Sequence, residues 1–200
     1  VCFVDIDKPR IQAAQRQGAY AIEEVTAAGA RTVQVAPVRG LLADDTAAVT
    51  AAVAAADCLA TAVGLAALPA VGAAIGRGLR ARWAAGAGPI DVLVCENGVQ
   101  APELLRGAIL GQLDGPGRAA FAGACGLVRA SIGRMIPASQ GADPLAIRVE
   151  PYAHLPVDAA AFRAPPPQGV PGLEPVAPFD LALEQKLYLH NGTHAALACG

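Results

Sequence analysis

Asp57-Cys58-Leu59-Ala60-Thr61-Ala62-Val63-Gly64 and Ile90-Asp91-Val92-Leu93-Val94-Cys95-Glu96-Asn97 decide the fold. Each is an apolar run closed by small or polar residues, the pattern of a buried strand with a tip (Asp57–Val63 and Ile90–Cys95). Between them Leu65–Trp83 reads as a helix with Pro69 in its first turns, where a proline sacrifices no helical hydrogen bond. Strand, helix, strand implies parallel pairing through a crossover, and hence an α/β sheet covered on both faces. Ligands of open parallel sheets bind at the carboxyl ends of strands, so Thr61–Gly64 and Cys95–Asn97 are candidate ligand positions. Gly64 lets backbone approach a ligand, and Asn97 can donate a side-chain hydrogen bond to a substrate oxygen. Read plainly, they are a helix-start glycine and an N-cap asparagine.

Outward from this unit the alternation continues. Upstream, Val1–Asp5 is a short apolar run ending in an acid and Pro9–Gln17 is helical. Tyr20–Val25 and Thr32–Val38 alternate like the two arms of a hairpin. Asp44–Ala56 is an alanine-rich helix with Asp44 or Asp45 near its cap. Downstream, Val99–Leu113 is helical, and Leu127–Ala130 and Leu145–Val149 are shorter strands. Pro165, Pro166, Pro167, Pro171, Pro175 and Pro178 then exclude a helix or a central strand and indicate a connection over the surface. Phe179–Leu189 returns to a helical pattern.

Composition narrows the function classes. The chain has 200 residues, 54% hydrophobic and 16% charged, which supplies a core and excludes disorder. A net charge of −2 without a basic cluster offers no footprint for nucleic acid or an anionic membrane. Cys2, Cys58, Cys95, Cys125 and Cys199 are odd in number and contain no Cys-x-x-Cys, so no zinc knuckle is expected. They read as small apolar residues and fit a reducing cytoplasm. Cys58–Gly76 carries no charge, yet its alanines, glycines and Pro69 suit a buried strand and helix rather than a membrane span.

A dinucleotide loop would read Gly-x-Gly-x-x-Gly on a strand-to-helix turn. Gly76-x-Gly78-x-x-Ala81 and Gly115-x-Gly117-x-x-Ala120 match only in part, and neither falls on such a turn. Asp5 is more informative. An acid closing the second strand of a nucleotide-binding half would bind the adenosine ribose hydroxyls, with Asp7 as runner-up. The glycine loop would then have to precede Val1. Near the other end, Lys186, Asn191 and His194 fall within nine residues. On a continuous helix, Lys186 to Asn191 turns through about 140° and Asn191 to His194 through about −60°, so the three share a broad face. A desolvated lysine can act as a general base, and an asparagine amide can stabilise an alkoxide. Spacing alone equally allows a solvated lysine and a helix-ending Asn191-Gly192.

These elements together resemble the long-chain polyol dehydrogenases, the mannitol dehydrogenase family. The matching stretches are Phe3-Val-Asp5-Ile-Asp7, the Tyr20 strand, Thr61-Ala-Val-Gly64, Cys95-Glu-Asn97, Arg134-Met-Ile-Pro137, Val149-Glu150 and Lys186-Leu-Tyr-Leu-His-Asn191-Gly-Thr-His194. The resemblance implies an NAD-binding Rossmann-type domain over residues 1–150, its first strand and Gly-rich loop missing. A connecting segment over 151–178 and the start of a mostly helical substrate domain over 179–200 would follow. It implies NAD as cofactor, a sugar alcohol or its phosphate as substrate, and no metal. Lys186 would be the base, Asn191 and Asn97 would hold the substrate oxygen, and His194 would orient it. Asp5, Asp7, Thr61, Ala62, Val63, Gly64, Glu96 and Asn97 would line the cofactor. The nearest branch interconverts D-mannitol 1-phosphate and D-fructose 6-phosphate; mannitol 2-dehydrogenases and hexuronate reductases are the nearest alternatives. Two departures stand out: Gly133 replaces the acid of the family's Val-Asp-Arg-Ile-x-Pro signature, and Leu65 replaces its proline. Gly133 also admits a catalytically degenerate chain kept as a fold or an interaction surface.

Overall fold

The computed structural model describes residues 1–134 and 143–186. In chain order the elements are β1 (Cys2–Asp5), α1 (Lys8–Gln17), β2 (Tyr20–Thr26), β3 (Gly29–Val35), β4 (Arg39–Leu42) and α2 (Thr46–Ala55). They continue with β5 (Leu59–Thr61), α3 (Leu68–Ala84), β6 (Ile90–Val94), α4 (Ala101–Leu110), α5 (Gly115–Ala124) and β7 (Cys125–Arg129). The last are β8 (Ile147–Val149), β9 (Leu155–Asp158), β10 (Leu173–Val176) and α6 (Phe179–Gln185). They divide into two compact units, Val1–Ala52 with Arg134–Tyr152, and Val53–Gly133 with Ala153–Gly200.

In the first unit β1 pairs in parallel with β4. Asp7 starts α1 by accepting the Arg10 N–H, and Gly18 ends it in the left-handed region at φ 63°. β2 and β3 form the expected hairpin, and β8 adds to β2 in parallel. Arg148 and Arg134 pair with Glu23 and Glu24 of β2.

The second unit is built on the parallel sheet β5-β6-β7. All five residues of β6 are buried, as a central strand covered on both faces requires. On one face α3 and α4 pack, bringing Leu68, Leu79, Leu105 and Ile109 onto Ile90 and Val92. The helices approach closely because α3 carries glycines. A Cβ on Gly76 would lie 2.8 Å from the Ile109 carbonyl oxygen, and one on Gly72 2.6 Å from the Ala108 Cβ. Gly76, the first glycine of the partial Gly76-x-Gly78 match, is therefore a helix-packing glycine. On the other face Leu93 and Val128 meet Val157 of β9. Asp91, only 3% exposed, secures that layer. Its carboxylate accepts the N–H groups of Gly126, Arg163 and Ala164 at 3.1, 2.8 and 2.9 Å.

Several elements differ from the sequence expectation. The strand expected over Asp57–Val63 is three residues long, Leu59–Thr61; at its carboxyl end the Val63 and Gly64 amides turn away to a side chain described below. β4, α5 and β9 are additional elements. α5 grows from the second glycine pair: Asp114 caps it by accepting the Gly117 N–H, and Phe121 anchors it at 2% exposure. The proline-rich stretch contains β10, which among the described residues pairs only with β9; an edge strand tolerates Pro175. Asp45, not Asp44, caps α2 through the Ala48 N–H. Among the described residues no helix is long and apolar enough to cross a membrane.

Candidate functional site

The three parallel strands of the second unit end level with one another. Thr61 lies beside Val94, and Val94 beside Arg129. Beyond them the chain leaves the ladder, and Thr61–Gly64, Cys95–Asn97 and Lys186 collect on this carboxyl edge.

Glu96 ties two of the tips together. Its Oε1 accepts the Val63 N–H and its Oε2 accepts the Gly64 N–H, each at 2.9 Å. Two successive amides converging on one carboxylate form a small anion nest, filled here from within the protein. Gly64 makes the nest possible, since its φ of 80° would strain any side-chain-bearing residue. Ala62, Val63 and Gly64 are exposed, and a Cβ on Gly64 would meet nothing within 4 Å. Thr61, just behind them, is 2% exposed, and its hydroxyl has no hydrogen-bond partner among the described residues. The tip thus combines open space, exposed apolar surface and an unanswered buried hydroxyl.

Asn97 follows Glu96 and is exposed. Lys186, at the end of α6, reaches it: Nζ donates to Oδ1 at 3.0 Å. Burial alone lowers the Lys186 pKa from its usual 10.5, because a charged ammonium loses hydration there. Cys95, at the same tip, is no nucleophile. Burial, reinforced by Glu96, pushes its thiol up to about 11, so it stays protonated near neutrality.

Asp5 and Asp7 belong to the first unit. Asp5 Oδ1 accepts the Asp7 N–H at 3.0 Å. A carboxylate can accept about four hydrogen bonds, so this one leaves Asp5 with capacity for hydroxyl donors. Asp7 is engaged as the cap of α1. Asn191 and His194 lie outside the described residues, as does Cys199. The second unit thus brings Lys186 to Asn97, and Glu96 to Val63 and Gly64. The sequence reading passes over Arg129, Asp158 and Asp180. Their one sequence signal is an arginine closing a buried strand level with Val94, and only the fold supplies its partners.

Comparison with known proteins agrees with this architecture. The sequence profile described as the mannitol dehydrogenase Rossmann domain matches residues 1–169. A mannitol-1-phosphate 5-dehydrogenase of Brevibacillus brevis is 32% identical over 99% of this chain and 51% of its own length. That of Lacticaseibacillus casei is 33% identical over 98% of this chain and 51% of its own. The chain therefore spans about half the length of the curated relatives it matches. Pseudomonas fluorescens mannitol 2-dehydrogenase, solved as a ternary complex with NAD and D-mannitol, superposes with a TM-score of 0.78. At 18% identity it covers 98% of this chain and 50% of its own. A D-sorbitol dehydrogenase in substrate-free form gives 0.75 at 18% identity, covering 94% and 50%. At such identities these two likenesses establish the Rossmann-type fold.

Proposed function

The chain belongs to the mannitol dehydrogenase family, and from that premise we propose that its protein oxidises D-mannitol 1-phosphate to D-fructose 6-phosphate with NAD. The observation that carries the reading is the Lys186–Asn97 hydrogen bond at the carboxyl edge of the sheet. It joins a lysine with a lowered pKa to the amide best suited to hold a reacting oxygen.

The tip residues fit the cofactor. Thr61 offers a hydroxyl without a partner among the described residues, Val63 an apolar surface 41% exposed, and Gly64 an unobstructed backbone. Asp5 offers acceptors for ribose hydroxyls and would repel a 2′-phosphate, favouring NAD over NADP. Ala62, Glu96 and Asn97 complete the lining proposed in the second unit, and Asp7 accompanies Asp5 in the first. Glu96 acts by shaping the loop, since its carboxylate is spent on the Val63 and Gly64 amides. NAD, when bound, supplies the acceptor for the hydride.

The protein's own residues supply the rest. Neutral Lys186 has a lone pair on Nζ that takes the proton of the substrate hydroxyl. Its lowered pKa makes this form available at lower pH. Asn97 gives its Oδ1 to the lysine, which leaves the two Nδ2 protons to face the oxygen as negative charge builds on it. Asn191 and His194 are proposed to complete the oxygen site, as holder and orienter. Residues 1–150 would serve the cofactor, 151–178 would connect, and 179–200 would open the substrate domain. The five thiols suit a cytoplasmic setting.

Lys186→Ala in the intact protein tests the reading. Turnover should fall by about 10²–10⁴ while NAD binding, followed by calorimetry, survives. Normal turnover would remove the lysine from the chemistry. Gly133, lacking the family acid, favours one other reading, a non-catalytic fold; failure of the intact protein to bind NAD at all would establish it.

A further inference from the structure

Arg129 ends β7 and makes three attachments at once. Nε and Nη2 both donate to Oδ2 of Asp158, at 3.2 and 2.9 Å. Nη1 donates to Oδ1 of Asp180 at 2.8 Å. The guanidinium also lies over the Phe179 ring, with Cζ 4.9 Å from its centroid. Asp158 is itself fixed: it closes β9, and its Oδ1 accepts the Ala160 N–H at 3.2 Å.

Phe179 and Asp180 are the first two residues of α6, and Phe179 is buried at 3% exposure. Lys186 sits at the other end of the same helix. With a rise of about 1.5 Å per residue, Asp180 and Lys186 lie about 9 Å apart along one short rod. A helix is stiff over this distance, so the attachments of its first turn, the buried Phe179 and the paired Asp180, carry to its other end. Its attachments therefore decide where Lys186 points. Arginine is well suited to hold them, because a planar fork can bridge two carboxylates while stacking on a ring, and a lysine ammonium cannot.

We propose that Arg129 is a positioning residue for the reaction, gripping Asp180 and Phe179 against Asp158 so that α6 delivers Lys186 to Asn97. The proposal rests on the reading of Lys186 as the base. It adds a residue that acts only through the placement of that base.

The test compares Arg129→Met, Asp180→Asn, their double variant and Lys186→Ala in the intact protein. Methionine keeps an apolar stem over Phe179 while removing every donor. Arg129→Met should lower kcat for mannitol 1-phosphate oxidation by about 10–100-fold, and Asp180→Asn by about 3–10-fold, through misplacement of the base. The KM for NAD should stay within about twofold in each, as expected when only a transition-state interaction is lost. The double variant should be no worse than Arg129→Met, because Asp180→Asn weakens an attachment that Arg129→Met already removes. Amide hydrogen exchange over residues 179–186 should quicken in all three, while β6 keeps its protection. Unchanged exchange in α6, near-normal kcat in Arg129→Met, or multiplying effects in the double variant would each overturn the proposal. Lys186→Ala separates the two levels. If it keeps full turnover, the base reading falls along with Arg129's part in the reaction, and exchange in α6 still shows whether Arg129 holds the helix. If it abolishes turnover while Arg129→Met does not, only the positioning role falls. Should Arg129→Met fail to fold, Asp180→Asn decides by the same readouts, since the Asp180 side chain is 73% exposed.

Discussion

Lys186 Nζ donates to Asn97 Oδ1 across 3.0 Å, joining the end of α6 to the tip of β6. The two residues are 89 positions apart in the chain, so neither predicts the other's neighbourhood. Their bond sets the proposed base beside the amide proposed to hold the substrate oxygen.

A pH dependence follows from this lysine. Burial lowers its pKa from 10.5, and a base acts only when unprotonated. The kcat for polyol oxidation should therefore rise with pH and level off at a midpoint below 10.5. Asn97→Ala should lower the plateau by about 10²–10³ through loss of a donor to the developing alkoxide. A pH-rate series on the two proteins checks both; a rising limb with its midpoint at or above the ordinary lysine value would contradict the assignment.

Thr61 gives a prediction with opposite signs in two measurements. Among the described residues its buried hydroxyl lacks a partner, a state that costs about 1–3 kcal/mol. Thr61→Val should raise the midpoint of denaturant unfolding while weakening NAD binding severalfold. A variant that gains stability and keeps full affinity would show that the hydroxyl takes no part in holding the cofactor.

At the opposite end of β6, Asp91 joins that strand to β7 and to the segment at Arg163 and Ala164. Asp91→Ala strips three backbone donors of their acceptor and should destabilise the second unit by about 3 kcal/mol or more. Urea unfolding measures the loss. A change below about 1 kcal/mol would mean that water replaces the carboxylate.

Glu24 of β2 supplies an acid-sensitive support for the first unit. Hydrogen bonding from Arg31, and then from Arg134, lowers its pKa below the usual 4.5. A depressed carboxylate stabilises the fold above its unfolded pKa and loses that contribution as pH falls through the folded one. Glu24→Gln should therefore be less stable than wild type at pH 7, and the two should converge once the pH lies well below 4.5. Melting curves at several pH values test this; a difference that persists into strong acid would refute it.

Much of the fold is legible in the sequence because burial writes itself into residue type. Ile90–Val94 is buried at every position and reads as an apolar run broken by Asp91, whose buried carboxylate only the fold explains. The β2-β3 hairpin and a cap for α2 at Asp44 or Asp45 likewise follow from local chemistry, the structure choosing Asp45. Elements whose stability is not local are less visible. β4 is four residues long, and α5 begins Gly115-Pro116-Gly117, so neither has a strong propensity of its own. β10 holds a proline and exists because β9 accepts it at an edge.

The candidate site divides in the same way. Sequence alone determined which groups are available: Asp5 closing a strand, Gly64 and Glu96 at two tips, and Lys186 on a helical segment. Those identities fix charge, donor capacity and backbone freedom, all properties of single residues. Tertiary structure alone decided their partners. It spent Glu96 on the Val63 and Gly64 amides, seated Lys186 on Asn97, and set Arg129 against Asp158, Asp180 and Phe179. The reason is physical: hydrogen bonding and desolvation act over a few ångströms of space, whatever the separation along the chain.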